Sequence, residues 1–132
     1  MALMNWENKY SVGVAEMDAQ HQKWIGILNR LHEAMLAGKA QDLQRSILSE
    51  IVAYTRTHFL QEELMLKTRG YPMLAAHRVL HVDFARQVQD IETKLQAGGS
   101  VLTIDIMEFL KSWLAKHILT QDTQYGSWLK QH

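Results

Sequence analysis

Apolar residues recur along this chain at steps of three and four, in four separate runs. Met17, His21, Trp24, Leu28, Leu31 and Met35 make the first run, and Ile47, Ile51, Tyr54, His58, Glu62 and Met65 the second. Leu74, His77, His81, Phe84, Val88, Ile91 and Leu95 form the third, and Met107, Leu110, Leu114, His117 and Gln121 the fourth. This is the period of the buried stripe of an α-helix. Between the runs lie Gly38-Lys39-Ala40-Gln41-Asp42, Arg69-Gly70-Tyr71-Pro72 and Gly98-Gly99-Ser100. Glycine after a helix end and proline at the start of the next are stop and start signals. Helices are therefore expected over roughly residues 18–37, 42–68, 72–97 and 101–119. Before Met17 the periodic signal fades, so residues 1–16 read as an extended arm. Short connections make successive helices antiparallel. The expected fold is all-α: an antiparallel up-down-up-down four-helix bundle with an extended N-terminal arm, in one domain over 1–132.

Composition narrows the function classes. Hydrophobic residues make up 47% and charged residues 21%, as in an ordinary globular domain. Fourteen basic residues balance fourteen acidic ones, so no net field draws the chain to nucleic acid or to an anionic membrane. No apolar run reaches the roughly 18–20 residues that span a bilayer, and the N-terminus lacks the features of a secretory signal. A cytoplasmic location and a monomeric state are expected. There is no cysteine, which excludes disulfides, thiolate zinc sites and iron–sulfur clusters.

The seams themselves hold the anomaly. His21, His58, His77, His81 and His117 occupy positions where a bundle ordinarily places leucine, and Glu62 and Asp122 accompany them. Such groups are costly to bury without partners. Residues four apart on a helix differ by about 40° in direction, so His58 with Glu62, and His77 with His81, can each aim two donors at one point. His117 and Asp122 are five apart, about 140° on an ideal helix. They can cooperate only if the helix ends or widens near residues 118–122, as at a π-bulge, and Gly126 fits a chain leaving helical form. In the antiparallel register all seven groups converge at one end of the bundle. Seven donors exceed the four of a tetrahedral zinc site and match two metal ions. Imidazoles with carboxylates suit iron, and two carboxylates suffice to bridge a pair. His32 lies beside its seam and His132 ends the sequence, so both are expected at the surface. The seven methionines, Trp24, Tyr54 and Phe84 read as packing.

With these residues in view, the chain resembles the hemerythrin family, in particular its single-domain bacterial members. The likeness runs from Trp6 and Val12-Gly13-Val14, through Met17-Asp18-Ala19-Gln20-His21-Gln22, to His117-Ile118 and Asp122. It implies a non-haem di-iron centre, with His77, His81 and His117 on one iron and His21 and His58 on the other. Glu62, Asp122 and an oxo or hydroxo group would bridge them. Three imidazoles and three bridges fill one iron, while two imidazoles leave a position open on the other. There the family binds dioxygen reversibly. The resemblance also implies an oxygen pocket lined by Leu114, Ile118, Phe59, Trp113 and Ile25, with Leu114 nearest the ligand.

The expected function is reversible dioxygen binding for transport, storage or delivery to an oxygen-consuming enzyme, without catalysis. A di-iron oxidase, peroxidase or nitric-oxide-handling protein is the alternative, as is an oxygen sensor acting through a separate partner. Oxygen-activating bundles of this kind rely on four carboxylates and two histidines, the reverse of the balance here. No acid, base or nucleophile beyond the ligands is recognisable near the layer.

Overall fold

The computed structural model describes residues 2–98 and 102–132. All regular structure among them is helical. A 3-10 turn at Asn8–Tyr10 precedes α1 (Ala15–Leu36), α2 (Gln41–Arg69), α3 (Leu74–Gln96) and α4 (Ile104–His117). A π turn, Ile118–Asp122, then leads without a break into α5 (Thr123–Gln131). No described helix is long and apolar enough to cross a membrane.

Cross-helix contacts fix the antiparallel register. Gln20 meets Gln61 while Arg30 meets Glu50, and Arg78 meets Glu63 while Gln96 meets Ser49. On the third pair, Phe84 stacks on Trp113 at 3.7 Å and His81 lies beside His117. Helix α2 ends as its glycine signals. Gly70 is left-handed at φ 74°, its N–H bonds the Lys67 carbonyl and the Tyr71 N–H bonds the Leu66 carbonyl. Tyr71 and Leu66 then share one apolar cluster, completing a Schellman stop. Gly98 is likewise left-handed at φ 78°, whereas Gly99 and Ser100 of the third break lie outside the described residues.

Several boundaries differ from expectation. Helix α1 starts at Ala15 rather than residue 18, and Pro72 sits in the turn before α3 instead of in its first turn. The largest difference is at the fourth helix, which does not end near 119 but continues to Gln131. Gly126 is therefore inside a helix, and its role is spatial. A Cβ there would run into the Val12 carbonyl oxygen, with the Val12 carbonyl carbon at 3.1 Å and Cα at 3.2 Å. The glycine lets the arm cross α5 backbone to backbone.

Two apolar clusters fill the interior. The larger, including Trp24, Leu28, Leu31, Ile51, Phe84, Val88, Met107, Leu110 and Leu114, forms the bundle core. The smaller joins Val12, Met17, Leu66, Tyr71 and Tyr125, so the arm and α5 build a second apolar cluster at the end where the ligand residues gather. Two side chains latch the arm. Asn29 exchanges two hydrogen bonds with the Met4 backbone, at 3.0 and 2.8 Å. Asp18 accepts from the Val12 N–H at 2.8 Å and the Ser11 hydroxyl at 2.6 Å.

Methionine packs as expected at Met4, Met17 and Met107, but Met73 is 53% exposed. His32 is half-buried rather than on the surface, and its Nδ1 is buried without a hydrogen-bond partner. His132 is exposed, as expected.

The glycines give a paired test. A Cβ on Gly26, in the middle of α1, meets nothing within 4 Å, so Gly26→Ala should stabilise by ~0.5–1 kcal/mol through helix propensity. Gly126→Ala should destabilise by ~1–3 kcal/mol through overpacking, with faster amide exchange over residues 12–14. Denaturant unfolding of both variants checks this; equal effects at the two positions would remove the argument for a close crossing.

Candidate metal centre

Five imidazoles and two carboxylates meet in one buried layer. His21, His58, His77, His81, Glu62 and Asp122 are each no more than 2% exposed, and His117 is 5% exposed. Helix α1 presents His21, α2 presents His58 and Glu62, α3 presents His77 and His81, and α4 ends on His117. Asp122 arrives by way of the π turn, where the Thr123 N–H reaches back five residues to the Ile118 carbonyl. That extra residue turns Asp122 inward and leaves Gln121, the regular continuation of the seam, only half-buried. The widened turn expected from the five-residue spacing is thus present, and the helix does not end there.

Each carboxylate divides its two oxygens between two sets of imidazoles. Glu62 Oε1 lies 2.8 Å from His77 Nε2 and 3.2 Å from His81 Nε2. Its Oε2 lies 3.5 Å from His21 Nε2 and 3.4 Å from His58 Nε2. Asp122 Oδ1 faces His77 and His117, each at 3.1 Å, and Oδ2 faces His21 at 3.2 Å. Two donor groups result, one of His77, His81, His117, Glu62 and Asp122, the other of His21, His58 and Glu62.

The chemistry of this set requires cations. His58 and His81 each point Nδ1 at an outside acceptor, Gln20 and Glu63, so a neutral ring there has only a lone pair left for the Glu62 carboxylate. Accordingly His21 Nε2, His58 Nε2 and both Asp122 oxygens are buried without a well-formed hydrogen bond. Donor atoms bound about 2.1 Å from one first-row ion stand ~3 Å apart around it, the separation seen here. The residues therefore fit a pair of metal ions. Without metal, protons must serve. Burial opposes charging His21 and His77, but the Asp122 and Glu62 carboxylates outweigh it and raise both to about 9. Burial wins at His58, which is lowered. At His81 burial is overcome by Glu62 and Glu63, and the group is raised. Burial also disfavours charge on Glu62 and Asp122, yet the surrounding imidazoles hold both carboxyls below their ordinary range.

Around the layer stand residues that the seam pattern did not single out. Glu63 Oε2 lies 2.9 Å from His81 Nδ1, and Arg78 Nε donates to its other oxygen at 3.0 Å. Gln20 Oε1 lies 2.6 Å from His58 Nδ1. The fully buried Tyr125 hydroxyl donates to Glu62 Oε2 at 2.8 Å. Burial and the nearby Glu62 and Asp122 charges push that phenol well above its ordinary value, so it stays protonated. Its presence corrects the expectation that no acid lies near the ligands. The signals were there: Gln20 and Glu63 each adjoin a ligand in sequence, and Tyr125 follows Asp122 by three.

The residues of the expected gas pocket lie in or against the main core. Leu114, Ile118, Phe59 and Ile25 are at most 5% exposed, and Trp113 is half-buried. Phe59 stacks on His81 at 3.8 Å and Trp113 on His117 at 4.4 Å, while Trp24 packs on His58 at 5.3 Å. A groove of about 190 Å³ runs along Leu80, Trp113, Lys116, His117, Thr120 and Gln121.

Fold and site together define a helical-bundle protein organised around a buried histidine–carboxylate centre with two donor groups, each able to hold a metal ion. The family of the hemerythrin HHE cation binding domain matches residues 12–129. Bacteriohemerythrin of Stenotrophomonas maltophilia is 33% identical over 100% of this chain and 85% of its own length. The protein of that name from Methylococcus capsulatus is 30% identical, over 96% of each chain. A crystal structure of wild-type hemerythrin superposes with a TM-score of 0.91 at 29% identity, covering 96% of this chain and 97% of its own. The chain belongs to the hemerythrin family.

The proton-for-metal exchange has a measurable sign. In the metal-free protein, His21 and His77 rise from 6.5 to about 9 on folding. Their contribution is complete below pH ~6.5, the unfolded value, and is lost as pH climbs through about 9. The urea midpoint of metal-free protein should therefore fall between pH 6.5 and 9.5, whereas metal-loaded protein should not show that fall. Adding ferrous ion at neutral pH should release protons. A metal-free protein equally stable at both pH values would contradict the electrostatic account.

Proposed function

We propose that this chain binds dioxygen reversibly at a di-iron centre, for transport, storage or delivery to an oxygen-consuming enzyme. The observation that carries the reading is the uneven split of imidazoles around carboxylates that each face both sets. His77, His81 and His117 would hold one iron, His21 and His58 the other, and Glu62 and Asp122 would bridge. Two ferrous ions at such a site supply the two electrons that dioxygen takes up on binding and returns on release. The second set has one imidazole fewer, which leaves it the place for an added ligand.

The chain's own residues supply the conditions for reversibility. Leu114 lies one turn before His117, and with Ile118, Phe59, Trp113 and Ile25 it presents hydrocarbon and aromatic surface that excludes water. The proton of Tyr125 is engaged on Glu62, and Tyr125 belongs to the smaller apolar cluster while Leu114 belongs to the main core. Five imidazoles against two carboxylates favour the ferrous state over the high-valent chemistry of carboxylate-rich bundles, which supports a carrier over an oxidase. The balanced surface charge suits a freely diffusing cytoplasmic monomer.

Anaerobic protein loaded with two ferrous ions should gain a visible charge-transfer band in air and lose it under vacuum, over repeated cycles. Irreversible oxidation in the first cycle would reject the carrier reading. One zinc per chain instead of two irons would reject the site. Leu114→Ala should cost about 2–5 kcal/mol of stability and speed autoxidation by opening the pocket. An unchanged autoxidation rate would move the pocket elsewhere.

A further inference from the structure

The two donor groups differ in more than their histidine count. On the His77–His81–His117 side, the outer nitrogen of His81 meets a carboxylate, Glu63, at 2.9 Å. That carboxylate is fixed from its far side by Arg78 at 3.0 Å. On the other side, His58 Nδ1 meets the neutral amide of Gln20 at 2.6 Å, and His21 Nδ1 is buried without any partner. One set is therefore backed by an anion and the other by nothing charged.

This difference bears directly on the metals. An imidazole that binds metal through Nε2 carries its proton on Nδ1, and a carboxylate there raises its basicity and its donation to the ion. An amide acceptor does so far less. A full negative charge one imidazole ring away from an ion also favours that ion's higher charge. Arg78 does not cancel the effect, because its side chain is 52% exposed and largely solvated, while Glu63 is only 16% exposed.

Building on the di-iron reading above, we infer that Glu63, positioned by Arg78, makes the two irons electronically unequal. It renders the three-histidine iron the easier to oxidise, while Gln20 leaves the two-histidine iron the more readily kept ferrous. Removal of one electron from the diferrous pair then leaves the ferric charge on the three-histidine side. No bond to either ion forms or breaks in that step, and the electron passes to an external one-electron acceptor. Glu63 and Gln20 touch neither iron nor gas; they are positioning residues that act through His81 and His58.

Mediated redox titration of the di-iron protein, with iron counted first and Mössbauer spectra taken at the one-electron point, tests this. The unaltered chain should show two separated midpoints and a ferric signal confined to one site. Glu63→Gln should raise the lower midpoint and narrow the gap, and Glu63→Asp, which keeps the charge, should restore most of it. Gln20→Glu should lower the upper midpoint, and the double exchange should move the ferric signal to the other site. Two bound irons with midpoints unmoved by Glu63→Gln would overturn the inference. If Glu63→Gln fails to hold iron, Gln20→Glu decides by the same criterion. Fewer than two irons in the unaltered chain would overturn the di-iron reading, and this proposal with it.

Discussion

Everything in this molecule is arranged around a set of buried acceptors that face one another. Imidazole nitrogens and carboxylate oxygens stand about 3 Å apart in a buried layer, and His58 and His81 have their Nδ1 positions already engaged outside it. Burying such groups without partners is costly. Positive charge has to be placed between the groups, and protons or metal ions are the two ways of doing it. The strong pull toward protonation at His21 and His77 and the depressed carboxyls of Glu62 and Asp122 are two views of that one demand. The apolar residues around the layer sharpen it, since each aromatic ring packed on a ligand lowers the local dielectric and removes a competing solvent molecule.

Much of this was legible in the spacing of residues. The four seams located the helices because burial imposes the helical period on the sequence whatever the side chains are, and His21 or Glu62 obeys it as Leu28 does. The step of four between His58 and Glu62 and between His77 and His81 gave their direction directly. His117 and Asp122 were harder, but their five-residue step conflicts with a regular helix and so announced the widened turn. What stayed hidden depends on close approach in three dimensions. Gly126 resembled a helix stop because a glycine carries no record of what passes beside it, here the Val12 carbonyl.

The same limit explains the residues around the layer. Gln20, Glu63 and Tyr125 lie off the seams or beyond the expected helix end, and each matters through a ligand donated by a different helix. Gln20 on α1 supports His58 on α2, Glu63 on α2 supports His81 on α3, and Tyr125 on α5 supports Glu62 on α2. Periodicity describes one helix at a time and is silent about such crossings. His32 is a related case, since its place beside a seam suggested solvent while the packing covers its Nδ1.

The π turn is a counting device. One added residue advances everything after it by roughly 100°, so Asp122, Tyr125 and Gly126 face inward where regular helix would have presented Gln121. The ligand set is consequently stored in the length of the segment between His117 and Asp122 as well as in the residues themselves. A chain shorter by one residue there could close the turn to regular α-helix, whose four-residue step would still bring the aspartate to the inward seam position. A further residue inserted there would instead carry Asp122 roughly 100° away from the layer, with all seven ligand residues still present and in order.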